Sequence, residues 1–363
     1  MYGRVADLRR QWYARHPERR RTLAVPVISV GNLVVGGSGK TPVTAALAQL
    51  LLKSGERPAI LSRGYRRRTR ADELVVVSDG ASVLASVRES GDEPQMLARS
   101  LDGVPVVVCA RRYRAGELAV SRFGSTVLLL DDGFQHLELA RDVDLLIVSP
   151  EDLREQVLPG GSLRERLDAG RMADAVLVPA APDETQRVAK AIGAASAFSI
   201  EPRYEPLCAV PGDPAEPRVP SFAVRATEGK PNPESKVSSP EPRVPSPGTR
   251  VIAVAGIARP QRFFDALRTL GWEPADQIVF PDHHWFDDCD VARVEHAARA
   301  AGAAAVMTTE KDAARLTNVE RTLPWLYVPL RVTLTPEDEF AGWMTERLLV
   351  ARDRIRARST AGR

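Results

Sequence analysis

The chain has 363 residues, 44% of them apolar, enough for a sizeable core and a length that most simply divides into two domains, so a disordered chain is excluded. Fifty basic residues against 47 acidic ones leave a net charge of +3, so the global balance points to no nucleic acid and every electrostatic role must be local. Cys109, Cys208 and Cys289 lie far apart without metal-ligand spacing, which implies no zinc site and fits a reducing cytosol; no apolar run approaches the roughly 18 to 20 residues that cross a bilayer, and no signal-peptide stretch opens the chain.

At the N-terminus, residues 1–21 carry seven arginines against Asp7 and Glu18, while Tyr2, Val5, Leu8 and Trp12 recur at helical spacing. Residues 1–24 are therefore expected to form an amphipathic helix on a membrane surface, with a basic helix packed on the protein body as the alternative. From Val25 onward β-branched runs alternate with helical stretches. Strands are expected at 25–30, 58–62, 104–109, 126–130, 143–148 and 175–179, and helices at 41–53, 93–101, 111–121 and 184–193. That alternation predicts a doubly wound, mostly parallel α/β sheet spanning 25–205.

Between 202 and 247 the chain holds 12 of its 28 prolines and repeats Glu-Pro-Arg-Val-Pro-Ser at 216–221 and 241–246. Residues 206–249 are read as a Pro-rich linker or insertion. Regular structure resumes with VIAVAG, a helix near 260–270 and strands near 277–280, 304–308 and 325–329. A second, smaller α/β domain is expected at 250–335, followed by a C-terminal helix and basic tail at 336–363.

The strand VPVISVG runs into Val34-Val35-Gly36-Gly37-Ser38-Gly39-Lys40-Thr41, with a helix immediately behind it. This is the context of a phosphate-binding loop. The glycines let backbone N–H groups curl around phosphate oxygens, Lys40 reaches the β- and γ-phosphates of ATP, and the Thr41 hydroxyl ligates Mg²⁺. Val34 stands where the common pattern has its first glycine. About 90 residues later TVLLLDDG places Asp131 and Asp132 at the C-terminal end of a buried strand, where one of them can hold the same Mg²⁺. A simple Asp-Gly turn is the alternative there.

GNLVVGGSGKTP, LSRGYRRR, GDEPQMLA, LDDGFQH, LPGGSLRE, AGIARPQRFF, FPDHHWF and TTEKDAARL occur in the order that resembles the tetraacyldisaccharide 4′-kinase family, P-loop kinases of lipid A biosynthesis in Gram-negative bacteria. The resemblance covers nearly the whole chain outside the linker. It implies an ATP- and Mg²⁺-dependent enzyme that phosphorylates the 4′-hydroxyl of a membrane-embedded, acylated glucosamine disaccharide 1-phosphate, forming lipid IVA. It places the enzyme peripherally, on an anionic lipid surface at the cytoplasmic face of the inner membrane, with no obligate protein partner evident.

By position, the same resemblance implies Asp92 of GDEP as catalytic base, paired with His283 of FPDHH. A carboxylate oriented by an imidazole can take the proton of a poorly nucleophilic sugar hydroxyl during phosphoryl transfer. Without the resemblance, Asp92 reads as a helix N-cap and His283 as a surface-loop histidine. Glu93 stands ready to assist Asp92 or the metal, and His136 lies near the expected Mg²⁺ end of its strand. Arg63, Tyr65 and the run Arg66-Arg67-Arg68 follow the second strand, where they would face the acceptor's phosphate or anionic head groups. Arg111, Arg112, Arg164 and Glu165 occupy loops at the expected sheet edge, with a solvated basic surface as the alternative for the arginines.

Two rival functions are distinguishable. A GTPase switch would carry an Asn/Thr-Lys-x-Asp signature, and Thr309-Glu310-Lys311-Asp312 has those letters in the wrong spacing. An ATPase switch acting on a protein partner at the membrane has no need of a second domain with FPDHH, and a non-catalytic membrane module leaves the phosphate loop unexplained.

Overall fold

The computed structural model describes residues 2–37, 39–211, 248–317 and 319–361. The chain separates into two compact units, Met1–Glu205 with Leu330–Arg363, and Pro206–Pro329. In the first unit, helix α1 (Tyr2–Arg15) precedes β1 (Val27–Asn32), α2 (Lys40–Lys53), β2 (Pro58–Ser62) and β3 (Val75–Asp79). There follow α3 (Val87–Ser90), α4 (Asp92–Ser100), β4 (Pro105–Val108), α5 (Arg112–Phe123), β5 (Val127–Asp131) and β6 (Val143–Ile147). Strand β7 (Ala175–Val178), α6 (Pro182–Ile192) and β8 (Ala197–Tyr204) complete the run.

The second unit comprises β9 (Cys208–Ala209), β10 (Val251–Ala255), α7 (Pro260–Thr269), β11 (Asp276–Val279), α8 (Asp288–Ala300), β12 (Ala305–Thr309), α9 (Glu310–Arg315) and β13 (Trp325–Val328). The chain then returns to the first unit through β14 (Leu330–Thr335) and α10 (Glu337–Ala361).

Among the described residues, nine strands form the first sheet in the order β14-β8-β7-β6-β1-β5-β2-β4-β3. The interior pairs are parallel, and only the edge strands β3 and β14 run antiparallel to their neighbours. The chain fills one side of β1 with β2 to β5 and then crosses to fill the other with β6 to β8. Strand β1 is therefore the topological switch point, at whose C-terminal end ligands bind in open α/β sheets.

Every residue of β1 and β5 is buried, because helices cover both faces of the sheet. Ile28 and Val30 face a core with Leu47 and Leu51 of α2, while Val27 faces the opposite layer with Ala115 and Ala119 of α5, as the two-residue period of a strand requires. Phe340 and Met344 of α10 close the first of these cores, Phe340 meeting Phe198 edge-to-face at 4.9 Å between centroids.

The doubly wound expectation holds, but β3, β8 and β14 are strands where none was expected. Strand β3 lies in the run Leu74–Asp79, for which no strand was expected, and pairs antiparallel with β4. Residues 330–335, expected in the second domain, instead pair with β8 from Leu330↔Tyr204 to Thr335↔Ser199. A strand reads the same to either sheet in the sequence; its partner is fixed only by tertiary packing.

The second unit has a sheet ordered β11-β10-β12-β13-β9, parallel except for the short β9, around a core that includes Ile252, Val254, Phe280, Phe286, Val294 and Trp325. Cys208–Ala209 thus makes a strand within the stretch expected to be linker. Both copies of the repeated hexapeptide lie outside the described residues.

Candidate active site

The end of β1 is organised by Asn32. Its Nδ2 donates to the Val34 carbonyl at 2.9 Å, and its Oδ1 accepts from Lys40 Nζ and from Arg164 Nη2, each at 3.2 Å. Val34, in the place of the usual first glycine, bridges to Leu163 and is buried with Leu33 and Phe134. A bridging, core-facing position favours a β-branched residue over glycine, which explains the departure from the common pattern. Val35 has an outward side chain, and its N–H donates to Ser162 O at 2.8 Å.

Gly36 (φ 105°) and Gly39 (φ 82°) adopt left-handed backbone, and Gly39 caps α2. A Cβ added at Gly37 or Gly39 would meet no protein atom within 4 Å, so the loop borders open space. Ser38 lies outside the described residues. Thr41 is buried in the first turn of α2. The N-terminus of a 14-residue helix thus opens onto that space, as binding of phosphate requires.

Strand β5 delivers the two aspartates. Asp131 pairs in register with Val30 and accepts from Thr44 Oγ1 at 3.2 Å. Asp132 turns away in left-handed backbone (φ 56°), 3.6 Å from Lys40 Nζ and 3.3 Å from Arg164 Nη1. Burial, with the charges of Glu93 and Asp132 next in weight, pushes Asp131 up to about 7. Burial would push Asp132 up as well, but Lys40 and Arg164 hold it below the usual carboxylate range. Arg164 also donates to Val34 O at 3.1 Å and Gln135 Oε1 at 3.4 Å, so one guanidinium ties the two loops together.

Asp92 begins α4 and is buried; the cap of that helix is Gly91 (φ 88°), so the N-cap alternative for Asp92 does not hold. Its Oδ1 accepts from the Glu93 N–H at 3.0 Å. Gly64 packs against Val108 and the Ser90 carbonyl so closely that a Cβ would lie 2.5 Å and 2.7 Å from them, which fixes the Arg63–Tyr65 loop beside the Asp92 turn.

Arg63, Tyr65 and Arg111 are exposed, whereas Arg112 is buried; burial, then Arg63, lowers Arg112 to about 10. Burial, then Arg112 and Arg141, lowers His136 to about 3. These shifts place Arg63, Arg112 and His136 in one electropositive neighbourhood. Arg67 differs from its neighbours: its Nη2 donates to the carbonyls of Arg70, Ala71 and Glu73 at 2.6 to 2.8 Å, so it holds its own loop. Glu165 is buried with both oxygens on Arg10, at 2.9 and 3.0 Å.

In the second unit His283 is buried rather than at the surface, and sits in left-handed backbone (φ 60°). Its Nε2 lies 3.2 Å from Lys311 Nζ and 3.7 Å from Asp282 Oδ2, and its N–H donates to Gly256 O at 3.1 Å. His284 points elsewhere, with Nε2 2.6 Å from Asp290 Oδ2 and its ring stacked on Phe280. Nothing metal-like surrounds the adjacent pair among the described residues.

Comparison with known proteins decides the family. The profile described as Tetraacyldisaccharide-1-P 4′-kinase matches residues 1–349. The chain belongs to this family. It is 36% identical over 342 residues to the tetraacyldisaccharide 4′-kinase of Desulfotalea psychrophila, covering 93% of this chain and 91% of that one. It is likewise 36% identical to the enzyme of the same name from Syntrophus aciditrophicus, over 92% and 87% of the two chains. The crystal structure of LpxK from Aquifex aeolicus in complex with ATP superposes with a TM-score of 0.69 at 28% identity, covering 96% of each chain.

The protein is accordingly an ATP-dependent lipid kinase of lipid A biosynthesis, acting on a tetraacyldisaccharide 1-phosphate, with ATP and Mg²⁺ as its cofactors. An ATPase switch is not favoured. The kinase fits Mg²⁺ in a particular way. Among the described residues no three His, Cys, Asp or Glu side chains converge to hold a metal by themselves, while Asp132 Oδ1 is buried without a hydrogen-bond partner. Mg²⁺ commonly takes one or two carboxylates and completes its shell with phosphate oxygens and water, which matches this sparse donor set. A cation here would also relieve the crowding that raises Asp131.

Sequence reasoning missed Asn32, Thr44, Gln135 and Arg10 as members of this hydrogen-bonded cluster. Asn32 and Gln135 carried a signal, Asn32 as a polar residue ending a buried strand and Gln135 as one in the turn just after another. Thr44 and Arg10 had none, because their partners are 87 and 155 residues away.

Proposed function

We propose a division of labour within the kinase. The Val34–Thr41 loop and the α2 N-terminus receive the triphosphate. Lys40 leaves Asn32 and Asp132 to bind the β- and γ-phosphates, and Thr41 with Asp131 and Asp132, assisted by Glu93, holds Mg²⁺. When bound, Mg²⁺ would supply positive charge to offset the negative charge that builds up on the transferred phosphoryl group. Asp92 takes the proton from the 4′-hydroxyl, with His283 assigned to the same step by the family resemblance.

The observation that carries this reading is the resting place of Lys40, an ammonium held at 3.2 Å by Asn32 and 3.6 Å by Asp132 at the mouth of a left-handed glycine loop. Incubation with γ-labelled ATP and a tetraacylated disaccharide 1-phosphate, followed by lipid extraction, tests it. Label in the lipid phase that requires acceptor, Mg²⁺ and Asp92 supports the assignment; label that persists in Asp92→Ala removes Asp92 from it.

The acceptor and the setting belong to the same proposal. Val5, Leu8 and Trp12 of α1 are 61%, 65% and 44% exposed, an apolar face among arginines that suits an anionic bilayer. Four acyl chains cost ~0.8 kcal/mol per CH₂ to extract, so the enzyme comes to its substrate at the cytoplasmic face of the inner membrane. Arg63, Tyr65, Arg111, Arg112, His136 and Arg164 are assigned to the acceptor's phosphate or to neighbouring head groups.

A further inference from the structure

Arg10 is the exception on its helix. While Val5, Leu8 and Trp12 face outward, Arg10 is 6% exposed and reaches inward. Its Nε and one Nη meet the two carboxylate oxygens of Glu165, at 2.9 and 3.0 Å, in the bidentate geometry that a guanidinium makes and an ammonium does not. The same Nη approaches the Phe134 carbonyl at 3.5 Å, and the guanidinium carbon lies 4.5 Å from the centre of the Phe134 ring.

Both partners are one step from the phosphate loop. Phe134 follows Asp132-Gly133 and packs on Gly31 of β1 so tightly that no Cβ fits there. Glu165 follows Arg164, whose N–H donates to Leu33 O at 2.6 Å and whose guanidinium reaches Asn32, Val34, Asp132 and Gln135. Arg9 adds a bond from Nη1 to Gln135 O at 3.2 Å, and a Cβ at Gly3 would lie 2.9 Å from Val157. One helix thus grips the two segments, 132–135 and 157–165, that border the loop bearing Lys40.

We infer that Arg10 is a positioning residue: through Glu165 and Phe134 it holds Arg164 and Asp132 in register, so that the nucleotide site is complete only while α1 is docked. The helix is then more than a lipid anchor, because its outward face meets the bilayer while its inward face sets the geometry of phosphate binding. The inference rests on the phosphate-loop assignment above.

The test uses the full-length kinase with γ-labelled ATP and the acylated disaccharide 1-phosphate dispersed in detergent micelles, so that bilayer binding is not required. Arg10→Lys keeps the charge but not the fork, and Glu165→Gln keeps the shape but not the charge. Each variant is expected to raise the KM for ATP and lower kcat by about 10-fold, since misplacing a positioned group by an ångström can cost up to ~10². The double variant should be no worse than the poorer single one, as for residues acting as a unit. Arg10→Met with Glu165→Met replaces the buried pair by apolar volume; it should keep the fold yet still show the raised KM.

Wild-type KM and kcat in folded Arg10→Lys and Glu165→Gln, with or without a loss of vesicle binding, would overturn the inference and leave α1 as an anchor alone. Full transfer by Lys40→Met would instead sink the phosphate-loop assignment, and this inference with it.

Discussion

The two units each place an acidic residue at the C-terminal edge of a parallel sheet, and they use it in opposite ways. In the first, Asp131 ends β5 and Asp132 follows it; Asp131 is pushed up to about 7 by burial and neighbouring carboxylates, and Asp132 leaves one buried oxygen without a hydrogen bond. In the second, Asp312 lies in the first turn of α9, just after β12, and is fully enclosed: it accepts from the Gly256 N–H at 3.0 Å and the Thr309 hydroxyl at 2.6 Å, and pairs with buried Arg315. Burial raises Asp312 as well, but both of its oxygens have partners, Arg315 on one and Gly256 with Thr309 on the other. The lesson is that a quoted motif marks either a ligand site or a structural corner, and the hydrogen-bond ledger tells them apart. TTEKDAARL is largely a corner that supports Gly256, whose carbonyl in turn receives the His283 N–H.

That comparison can be broken at either edge. The largest effect is expected from Asp92→Ala and His283→Ala, each lowering lipid-dependent turnover by ~10²–10⁴ if both serve proton removal, with a double mutant little worse than the poorer single one. Fully multiplicative losses, or losses confined to the KM for ATP, would separate the two residues. Next comes Asp312→Ala, which strips the partner from a buried arginine and should cost about 3–5 kcal/mol of stability, read as a lowered denaturant midpoint of the full chain. An unchanged midpoint would show that this corner is not structural. The smallest effect is expected from Trp12→Ala, which should weaken sedimentation with anionic vesicles by about 10-fold, the scale of one partly buried aromatic side chain. Vesicle binding indifferent to that change would return α1 to the role of a helix that merely packs.

Much of this was legible because the first sheet is buried on both faces. Strands such as VISVGN and VLLLD read as largely apolar runs, with Asp131 and Asp132 at the end of one and the loop bearing Lys40 and Thr41 after the other. Strand β14 was not expected as a strand, and neither was its place in the first sheet, since its pairing with β8 spans more than a hundred residues of intervening chain. Glu165 looked like a substrate contact until Arg10, 155 residues earlier, was found on it. Arg67 looked like its basic neighbours until its carbonyl partners appeared. Local pattern gives the elements and the strand-end chemistry; ion pairs made across the fold decide which charged residues remain for the ligand.

The most direct measurement of the central claim is phosphate transfer by Lys40→Met. The account holds that the ammonium beside Asn32 and Asp132 serves phosphate and not the core, so this variant should keep the wild-type circular dichroism spectrum and melting midpoint while labelled phosphate in the extracted lipid falls by ~10² or more. Near-normal transfer at saturating ATP in the folded variant would contradict it.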